Sequence, residues 1–342
     1  MSLTRLAAVD AAGLGTGLSP AGARAAWAAA IEGAASADAS RPLPGRAPHT
    51  VAIIASANVF TAPLEWAWAL SQRGVRVILK SARGLAPVGE TLATYLPGVE
   101  HHPWRGGDVE AEAAALRACD AALVFGSAET IATVRARAPV PVLGFGPRFG
   151  VAHVPTFTPA LARAVGLDHA LYDARGCMSP TAVATDDTSA AGQLVAAAMT
   201  ELAETLPRGE VSAAEAVQLR ALTMLARATG QLWTGPDWIV VALPLAHARA
   251  YALPRAVVLH AATLGDLGAA LGDFSGQLGT IALPGAPESD LRGHPGLIAA
   301  LGLHGLPPAR VCAVGEMQRP PGNRALHDGI DVLGALWSLP AR

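Results

Sequence analysis

The chain has 342 residues, which is enough for one large or two medium domains with a sizeable core. Hydrophobic residues make up 51% of it and charged residues only 15%, which excludes a disordered chain. The net charge of −2 gives no reason to expect nucleic acid or an anionic membrane surface as a partner.

The cysteines and the amino terminus indicate in which cellular compartment the protein resides and whether it binds a metal. Cys119, Cys177 and Cys312 are far apart and show no C-x-x-C spacing, so neither a disulfide framework nor a cysteine-rich zinc site is predicted. We expect no metal site. Asp10 stands where a signal peptide would need an apolar run, and no uncharged apolar run reaches the roughly 18 residues of a membrane helix. These features predict a cytoplasmic protein without a membrane span.

The amino-terminal part of the chain alternates between helix and strand patterns. Ser19 and Pro20 are typical of a helix start, which predicts a helix to about Ala34 and a linker at 36–48. Strands are then predicted at 51–55, 75–80, 119–125 and 140–145, and helices at 64–73, 86–95, 109–117 and 126–137. This alternation is typical of a doubly wound nucleotide-binding sheet with parallel strands.

From about Gly146 the pattern changes to that of a second α/β domain. Helices are predicted at 189–206 and 212–229, and strands at 182–185, 238–242, 256–260, 278–282 and 311–314. This second domain carries Cys177 close to its start.

The segment Asp173–Pro180 places Cys177 between a glycine and Met-Ser-Pro. Gly176 lets the backbone approach a ligand closely, and Pro180 disfavours helical geometry at Ser179. We therefore predict an exposed turn, in which a cysteine thiolate could act as a nucleophile. The alternative is a buried cysteine that acts as a small hydrophobic residue.

Several short segments follow one another in an order typical of a known superfamily. They are the loop with Asn58, the strand that ends in Lys80, Val124–Ser127 and the cysteine segment. Together they resemble the aldehyde dehydrogenase superfamily. Three further stretches, His102–Asp108, Gly176–Pro180 and His327–Gly329, are similar to its LuxC-type acyl-CoA reductase family. The resemblance covers roughly residues 51–336.

The resemblance implies an aldehyde-dehydrogenase-like α/β fold. Its parts would be an amino-terminal helix and linker, a nicotinamide-cofactor-binding domain with a Rossmann-type parallel sheet, a second α/β catalytic domain with the nucleophilic cysteine, and a carboxyl-terminal segment that packs back on the core. In this chain they would span 1–48, 49–145, 146–320 and 321–342.

The same resemblance implies an acyl-CoA reductase. Cys177 would attack a fatty acyl thioester and release coenzyme A, and hydride from NADPH would then convert the acyl-enzyme to the aldehyde. Asn58 matches the asparagine whose amide stabilises the oxyanion together with the backbone N–H of Cys177. The alternative for Asn58 is a turn residue that tolerates left-handed geometry.

Cofactor contacts are implied at four positions. Lys80 matches a lysine on the adenosine-ribose side, and Arg83 stands where NAD-preferring relatives often carry a glutamate, so we expect NADP(H). The alternative is that both side chains simply reach solvent. Gly126 and Ser127 match the helix start near the pyrophosphate, although Ile131 replaces the second glycine of that pattern.

A further departure concerns hydrolysis. Gly144 stands where hydrolytic aldehyde dehydrogenases carry a glutamate general base, so the acyl-enzyme should survive long enough for coenzyme A exchange or hydride transfer. The alternative is that Glu129 or Glu316 is a relocated base. Arg175 is interpreted as a solvated arginine, the alternative being that its charge lowers the pKa of Cys177. His327 is interpreted either as part of a structural turn, hydrogen-bonded to the backbone, or as a catalytic residue.

Two alternative functions stay open at this point. A CoA-acylating aldehyde dehydrogenase would run the same intermediate in the oxidative direction. A non-catalytic relative would bind acyl groups or nucleotide, which is favoured by Ile131 and by an amino-terminal region shorter than in fuller family members. The expected substrate is an acyl-CoA or an acyl-carrier thioester, and the superfamily implies a homo-oligomer or a complex with an acyl-supplying enzyme.

Overall fold

The computed structural model describes residues 2–36, 40–249, 251–301, 309–319, 326–327 and 330–340. The chain divides into two units. The first comprises Met1–Thr16, Ala23–Pro147 and Arg319–Arg342, and the second comprises Gly17–Gly22 and Arg148–Gln318. The four-part division predicted from the sequence stays a prediction, and its linker includes residues 37–39, which lie outside the described residues.

Within the described residues, the helices are α1 (Ser2–Ala7), α2 (Pro20–Ala35), α3 (Ala62–Ser71), α4 (Ala86–Tyr95), α5 (Val109–Arg117), α6 (Ala128–Arg137), α7 (Pro159–Ala170), α8 (Thr188–Thr205), α9 (Ala213–Thr229), α10 (Leu264–Ala270), α11 (Pro295–Ala300) and α12 (Val332–Trp337). The strands are β1 (Thr50–Ile54), β2 (Arg76–Lys80), β3 (Val99–His101), β4 (Ala121–Phe125), β5 (Val142–Phe145), β6 (Phe149–His153), β7 (Pro180–Thr185), β8 (Gln231–Thr234), β9 (Ile239–Ala242), β10 (Ala256–Ala261), β11 (Leu278–Leu283), β12 (Ser289–Asp290), β13 (Arg310–Ala313), β14 (Leu326–His327) and β15 (Ile330–Asp331).

The first unit is built on a parallel sheet of five strands in the order β3-β2-β1-β4-β5. Every residue of β1 and β4 is buried, as is typical of a doubly wound sheet covered on both faces. The predicted doubly wound sheet is therefore confirmed. β3 was not predicted, because this edge strand has only three residues.

The second unit is built on a mixed sheet of eight strands in the order β12-β13-β11-β6-β7-β10-β9-β8. Its inner strands are parallel, and the edge strands β12 and β8 are antiparallel to their neighbours. Apolar clusters cover both faces: Val183 and Leu259 belong to one, and Val151 and Ile281 belong to the other. The α/β class predicted for both parts of the chain is confirmed.

Two elements near the start of the second unit were not predicted, β6 and α7. Gly150 interrupts the apolar run of β6, and the alanine-rich α7 shows little apolar periodicity. The missed signal for α7 is its start, where Thr158 Oγ1 accepts a hydrogen bond from the Leu161 N–H (3.2 Å) and Pro159 is the first helical residue.

The predicted start of α2 is confirmed. The Gly22 N–H donates to Ser19 Oγ (3.1 Å), and Pro20 is the first residue of the helix. Throughout the part of the chain that the structure describes, no helix combines the length and the hydropathy that crossing a membrane requires.

Candidate active site

Cys177 lies in a β-turn just before β7. The Ser179 N–H donates to the Gly176 carbonyl (3.0 Å), so Cys177 and Met178 are the central residues of Gly176–Ser179, which we call the cysteine turn. Cys177 is half-buried and forms no disulfide. The predicted turn is confirmed, but its predicted exposure is wrong: Cys177 and Met178 are half-buried, and Gly176 and Ser179 are buried. Ser179 is fully buried because it leads into an inner strand of the sheet.

The backbone that precedes the cysteine turn has an uncommon conformation. Tyr172, Asp173 and Ala174 have φ values of 57°, 51° and 56°. Left-handed backbone costs a residue with a Cβ about 1–2 kcal/mol. The three residues, which we call the left-handed turn, must therefore be held by favourable contacts.

A buried ion pair provides such contacts. Arg255 is fully buried, and its Nε donates to Asp173 Oδ1 (2.6 Å), while its Nη2 donates to the Leu206 carbonyl (2.6 Å). The other carboxylate oxygen, Asp173 Oδ2, accepts the Gly209 N–H (2.9 Å). The middle residue of the left-handed turn is thus tied to two other segments of the second unit.

Arg175 is part of a second ion pair, so its interpretation as a solvated arginine is wrong. Its Nε donates to Glu215 Oε1 (2.7 Å), and its Nη1 donates to Asp173 Oδ2 (3.3 Å). Glu215 is held in place by Ser212 in the capping box of α9. The Arg175 hydrogen bond, aided by those from Ser212, lowers the pKa of Glu215 to about 2.

Gln318 contacts both ends of the cysteine turn. Its Nε2 donates to Ser179 Oγ (2.5 Å). A Cβ placed on Gly176 would lie only 2.6 Å from Gln318 Oε1. Gln318 is 2% exposed, so its amide group lies in the interior of the second unit.

The segment that carries Gln318 is fixed by two buried charged residues. Asp168 accepts the N–H groups of Gly315 (2.7 Å) and Met317 (3.0 Å), and burial raises the pKa of this carboxyl group to about 7. Arg310 donates to the carbonyls of Glu316 (2.8 Å) and Met317 (2.7 Å). Neither residue was predicted as part of a site, since neither stands in a recognisable motif.

The other predicted site residues belong to the first unit and lie at one edge of its sheet. Asn58 is exposed in the loop after β1, Lys80 ends β2, and Arg83 is exposed in the loop that follows. Gly126 and Ser127 directly follow β4. Because β2, β1 and β4 are parallel neighbours, the structure gathers these five residues at their carboxyl ends.

This edge has the features of a dinucleotide site. The strand order reverses beside β1, and α6 begins directly after β4, with Ser127 Oγ accepting the Thr130 N–H (3.1 Å). Burial lowers the pKa of Lys80, opposed by the charge of Glu112. Among the described residues, no group of three or more metal-ligating side chains is placed to hold an ion. The helix start at Ser127 and the partly buried ammonium group of Lys80 are the observations that fit a nucleotide cofactor.

Gly144 and Ile131, the two departures from the superfamily pattern, are in contact. A Cβ on Gly144 would overlap Ile131 Cγ2 and lie 3.2 Å from Arg135 Nη2. Ile131 is itself buried. It fills the space that a side chain at position 144 would occupy. Glu129 and Glu316, the alternative bases, are both exposed.

His327 packs against three aromatic rings of the first unit. Its ring centroid lies 4.7 Å from that of Phe145, 5.4 Å from that of Phe125 and 6.0 Å from that of Trp66, always edge to face. Phe125 and Phe145 end β4 and β5. Sequence reasoning missed this packing role; the other two residues of the motif, Asp328 and Gly329, lie outside the described residues.

A family model described as "Acyl-CoA reductase (LuxC)" matches residues 78–339. A search of curated protein sequences finds no significant match.

Solved structures resemble the chain in fold. Aldehyde dehydrogenase 21 from Physcomitrella patens, in complex with the reaction product succinate, has a TM-score of 0.63 at 14% identity, over 92% of this chain and 74% of that one. An acetylating aldehyde dehydrogenase from Geobacillus thermoglucosidasius has a TM-score of 0.61 at 12% identity, over 94% and 80%. At such identities the likeness shows the fold alone, which is that of the aldehyde dehydrogenases.

Proposed function

Since its residues 78–339 match the family model, this chain belongs to the acyl-CoA reductase (LuxC) family, and we propose that it reduces a fatty acyl thioester to the aldehyde with NADPH through an acyl-Cys177 intermediate. The cysteine turn is the observation that carries this proposal. Its half-buried thiol follows a segment held by the Asp173–Arg255 ion pair, and its last residue, Ser179, is hydrogen-bonded to the buried Gln318. Such fixed geometry is typical of a nucleophile and is not needed for a cysteine that only fills space.

The proposed chemistry centres on the Cys177 sulfur. The thiolate attacks the thioester carbonyl carbon, and the tetrahedral intermediate expels the coenzyme A thiolate to leave acyl-Cys177. NADPH, when bound, supplies the hydride that reduces the acyl group. The resulting thiohemiacetal oxyanion collapses by breaking its C–S bond, which releases the aldehyde and restores the Cys177 thiolate. On the strength of the resemblance, Asn58 is proposed as an oxyanion donor.

The contact between Ile131 and Gly144 supports reduction over hydrolysis. A carboxylate at position 144 would have to displace the buried Ile131 side chain. No general base can therefore stand there to activate water, and the acyl-enzyme persists until hydride or coenzyme A reaches it.

The carboxyl edge of the first sheet is the proposed cofactor site. There the start of α6, with Gly126 and Ser127, would bind the pyrophosphate, and Lys80 would contact the adenosine ribose. The exposed Arg83 guanidinium would bind a 2′-phosphate, which is why we propose NADPH rather than NADH.

NADPH oxidation with a panel of short- to long-chain acyl-CoAs tests the proposed function. Wild type should oxidise NADPH only when acyl-CoA is present, and Cys177→Ala should lose the activity. Cys119→Ala, which removes a buried thiol of the first unit, is the matched control and should keep it. Activity in Cys177→Ala equal to wild type would show that the nucleophile is misassigned.

A CoA-acylating dehydrogenase is the second candidate, because the absence of a base at position 144 suits it equally well. Aldehyde, NADP⁺ and coenzyme A would then give acyl-CoA faster than the reverse reaction under matched concentrations. If acyl-CoA and acyl-carrier thioesters are both inert while NADPH binds, the chain is a non-catalytic binding relative. Sedimentation would show whether it forms the homo-oligomer proposed from its superfamily.

A further inference from the structure

Gln318 connects the two ends of the cysteine turn. We propose that it is a positioning residue, which sets the direction of the Cys177 side chain by bridging Gly176 and Ser179. The inference rests on the proposed role of Cys177 as nucleophile. Gln318 itself does not have to touch substrate.

The geometry of the bridge is specific. Gly176 and Ser179 are the first and last residues of the β-turn, and their backbone hydrogen bond closes it (3.0 Å). The Gln318 amide meets the Ser179 hydroxyl (2.5 Å) on one side and the space beside Gly176 on the other. A shift of either end rotates the backbone between them and so moves the sulfur.

A buried amide is costly unless it is hydrogen-bonded, by roughly 1–3 kcal/mol in proteins. A residue that only filled the core at position 318 could be apolar. Gln318 and its partner Ser179 are both almost completely buried. Their hydrogen bond therefore fixes one relative position of the two segments, where apolar contact would permit several.

The bridge is rigid because its own backbone is held from two sides. Asp168 accepts two N–H groups of the preceding residues, and Arg310 donates to two carbonyls of the same segment. Arg310 is in turn paired with Glu288 through two hydrogen bonds (2.6 and 2.9 Å). The hydrogen bonds of Asp168 and Arg310 fix the segment from which the Gln318 side chain extends.

The bridge also explains why position 176 is glycine. The φ of Gly176 is not among the left-handed values, so an alanine is allowed by its backbone. The alanine Cβ would nevertheless lie 2.6 Å from Gln318 Oε1 and 3.3 Å from Ser179 Oγ. Gly176→Ala should therefore act on Cys177 mainly by pushing Gln318 away.

The first test is single-turnover release of coenzyme A from acyl-CoA, compared with the rate at which iodoacetamide labels each cysteine. In Gln318→Ala, coenzyme A release should fall about tenfold or more, because a misplaced nucleophile reacts slowly. The buried thiols of Cys119 and Cys312 should label as slowly as in wild type. Gln218→Ala, on the exposed face of α9, is the matched control and should behave as wild type.

The second test needs no acyl-CoA. Gly176→Ala should change the Cys177 labelling rate at least about threefold in the wild-type background and less than about twofold in the Gln318→Ala background, because the group it collides with has gone. This coupling supports the bridge even if wild type releases no coenzyme A, an outcome that would overturn the proposed function instead.

Three results would overturn the proposal. The first is release of coenzyme A by Gln318→Ala at the wild-type rate. The second is additive effects of Gly176→Ala and Gln318→Ala on the Cys177 labelling rate. The third is faster labelling of Cys119 and Cys312 in Gln318→Ala. The last would mean that Gln318 stabilises the whole unit rather than the position of one side chain. Gln318→Glu keeps the length of the side chain but lacks the amide donor, so the Ser179 hydroxyl would have to donate to the carboxylate instead, and the rate of coenzyme A release should lie between those of wild type and Gln318→Ala.

Discussion

Asp173 and Arg255 are both buried at the left-handed turn; without Asp173 the Arg255 charge would lose its ion pair, and without Arg255 the Asp173 carboxylate would keep only the longer contact with Arg175 (3.3 Å). Breaking a buried ion pair from one side is strongly destabilising, because the remaining charge stays in the interior. The pair also holds three residues in left-handed backbone. The Asp173–Arg255 ion pair therefore offsets the backbone strain of the left-handed turn, which precedes Cys177 in the chain.

Arg255→Met should lower the free energy of unfolding by about 3 kcal/mol, because it leaves the buried Asp173 carboxylate with only the longer contact to Arg175 (3.3 Å). Urea denaturation followed by circular dichroism measures the change. Arg24→Met is the matched control: Arg24 is paired with Asp10, but both side chains are more than half exposed, so its urea midpoint should not move. Equal effects of the two substitutions would contradict this account.

The contact between Gly144 and Ile131 makes a second prediction at single residues. Gly144→Ala should destabilise the protein by about 1–3 kcal/mol, since its methyl group overlaps Ile131. In an Ile131→Ala background the added methyl group should instead refill part of the cavity, so the double variant should be more stable than the sum of the single changes predicts.

Gly106→Ala is the control for the effect of glycine itself. A Cβ at Gly106 meets no atom within 4 Å, so this substitution should be neutral or slightly stabilising in the same urea experiment. Additive effects at positions 131 and 144 would mean that the two residues do not share space.

Among the elements, α6 links stability to the proposed cofactor site. Ser127→Ala removes its N-cap and should lower the free energy of unfolding by about 1 kcal/mol. It should also weaken NADPH binding, measured by nicotinamide fluorescence, because the first turn of the helix would fray. Thr263→Ala removes the N-cap of α10 in the second unit and should affect stability alone. Equal NADPH affinity in all three proteins would contradict a cofactor site at α6.

The elements that could be predicted are those whose signals are local. In the first sheet β1 and β4 contain continuous apolar runs, and Ser19 and Pro20 predict the start of α2. The cysteine turn was likewise predictable from Gly176 and Pro180. Its supports were not, because Gln318 is 139 residues from Ser179 and Arg255 is 82 residues from Asp173. No pattern in a short window connects residues that only the folded sheet brings together.

On the scale of the whole molecule, two adjacent residues of α7 affect stability in opposite directions as the pH changes. Burial raises the pKa of Asp168 to about 7 and lowers that of His169 to about 4. The stability that the neutral Asp168 contributes is lost as the pH rises through 7. The stability that the neutral His169 contributes is lost as the pH falls below its unfolded value of about 6.5. Between about pH 4 and 6.5 the two contributions change with opposite sign and about equal slope, so they nearly cancel in wild type and a substitution is needed to separate them.

Asp168→Asn removes the pH-dependent contribution of Asp168 to stability and leaves that of His169 in place. Between pH 5.5 and 8.5 the unfolded Asp168 stays ionised while the folded one must lose its proton against burial, so wild type should lose about 2 kcal/mol of stability that the asparagine variant does not lose. The His169 contribution is common to both proteins and cancels in the comparison. Urea midpoints at several pH values measure the difference.

Asparagine can accept only one of the two N–H groups now bound by Asp168, so the variant should be less stable at pH 5.5, and only the slope with pH tests the argument. Parallel slopes would mean that Asp168 is already ionised in the folded protein at pH 5.5.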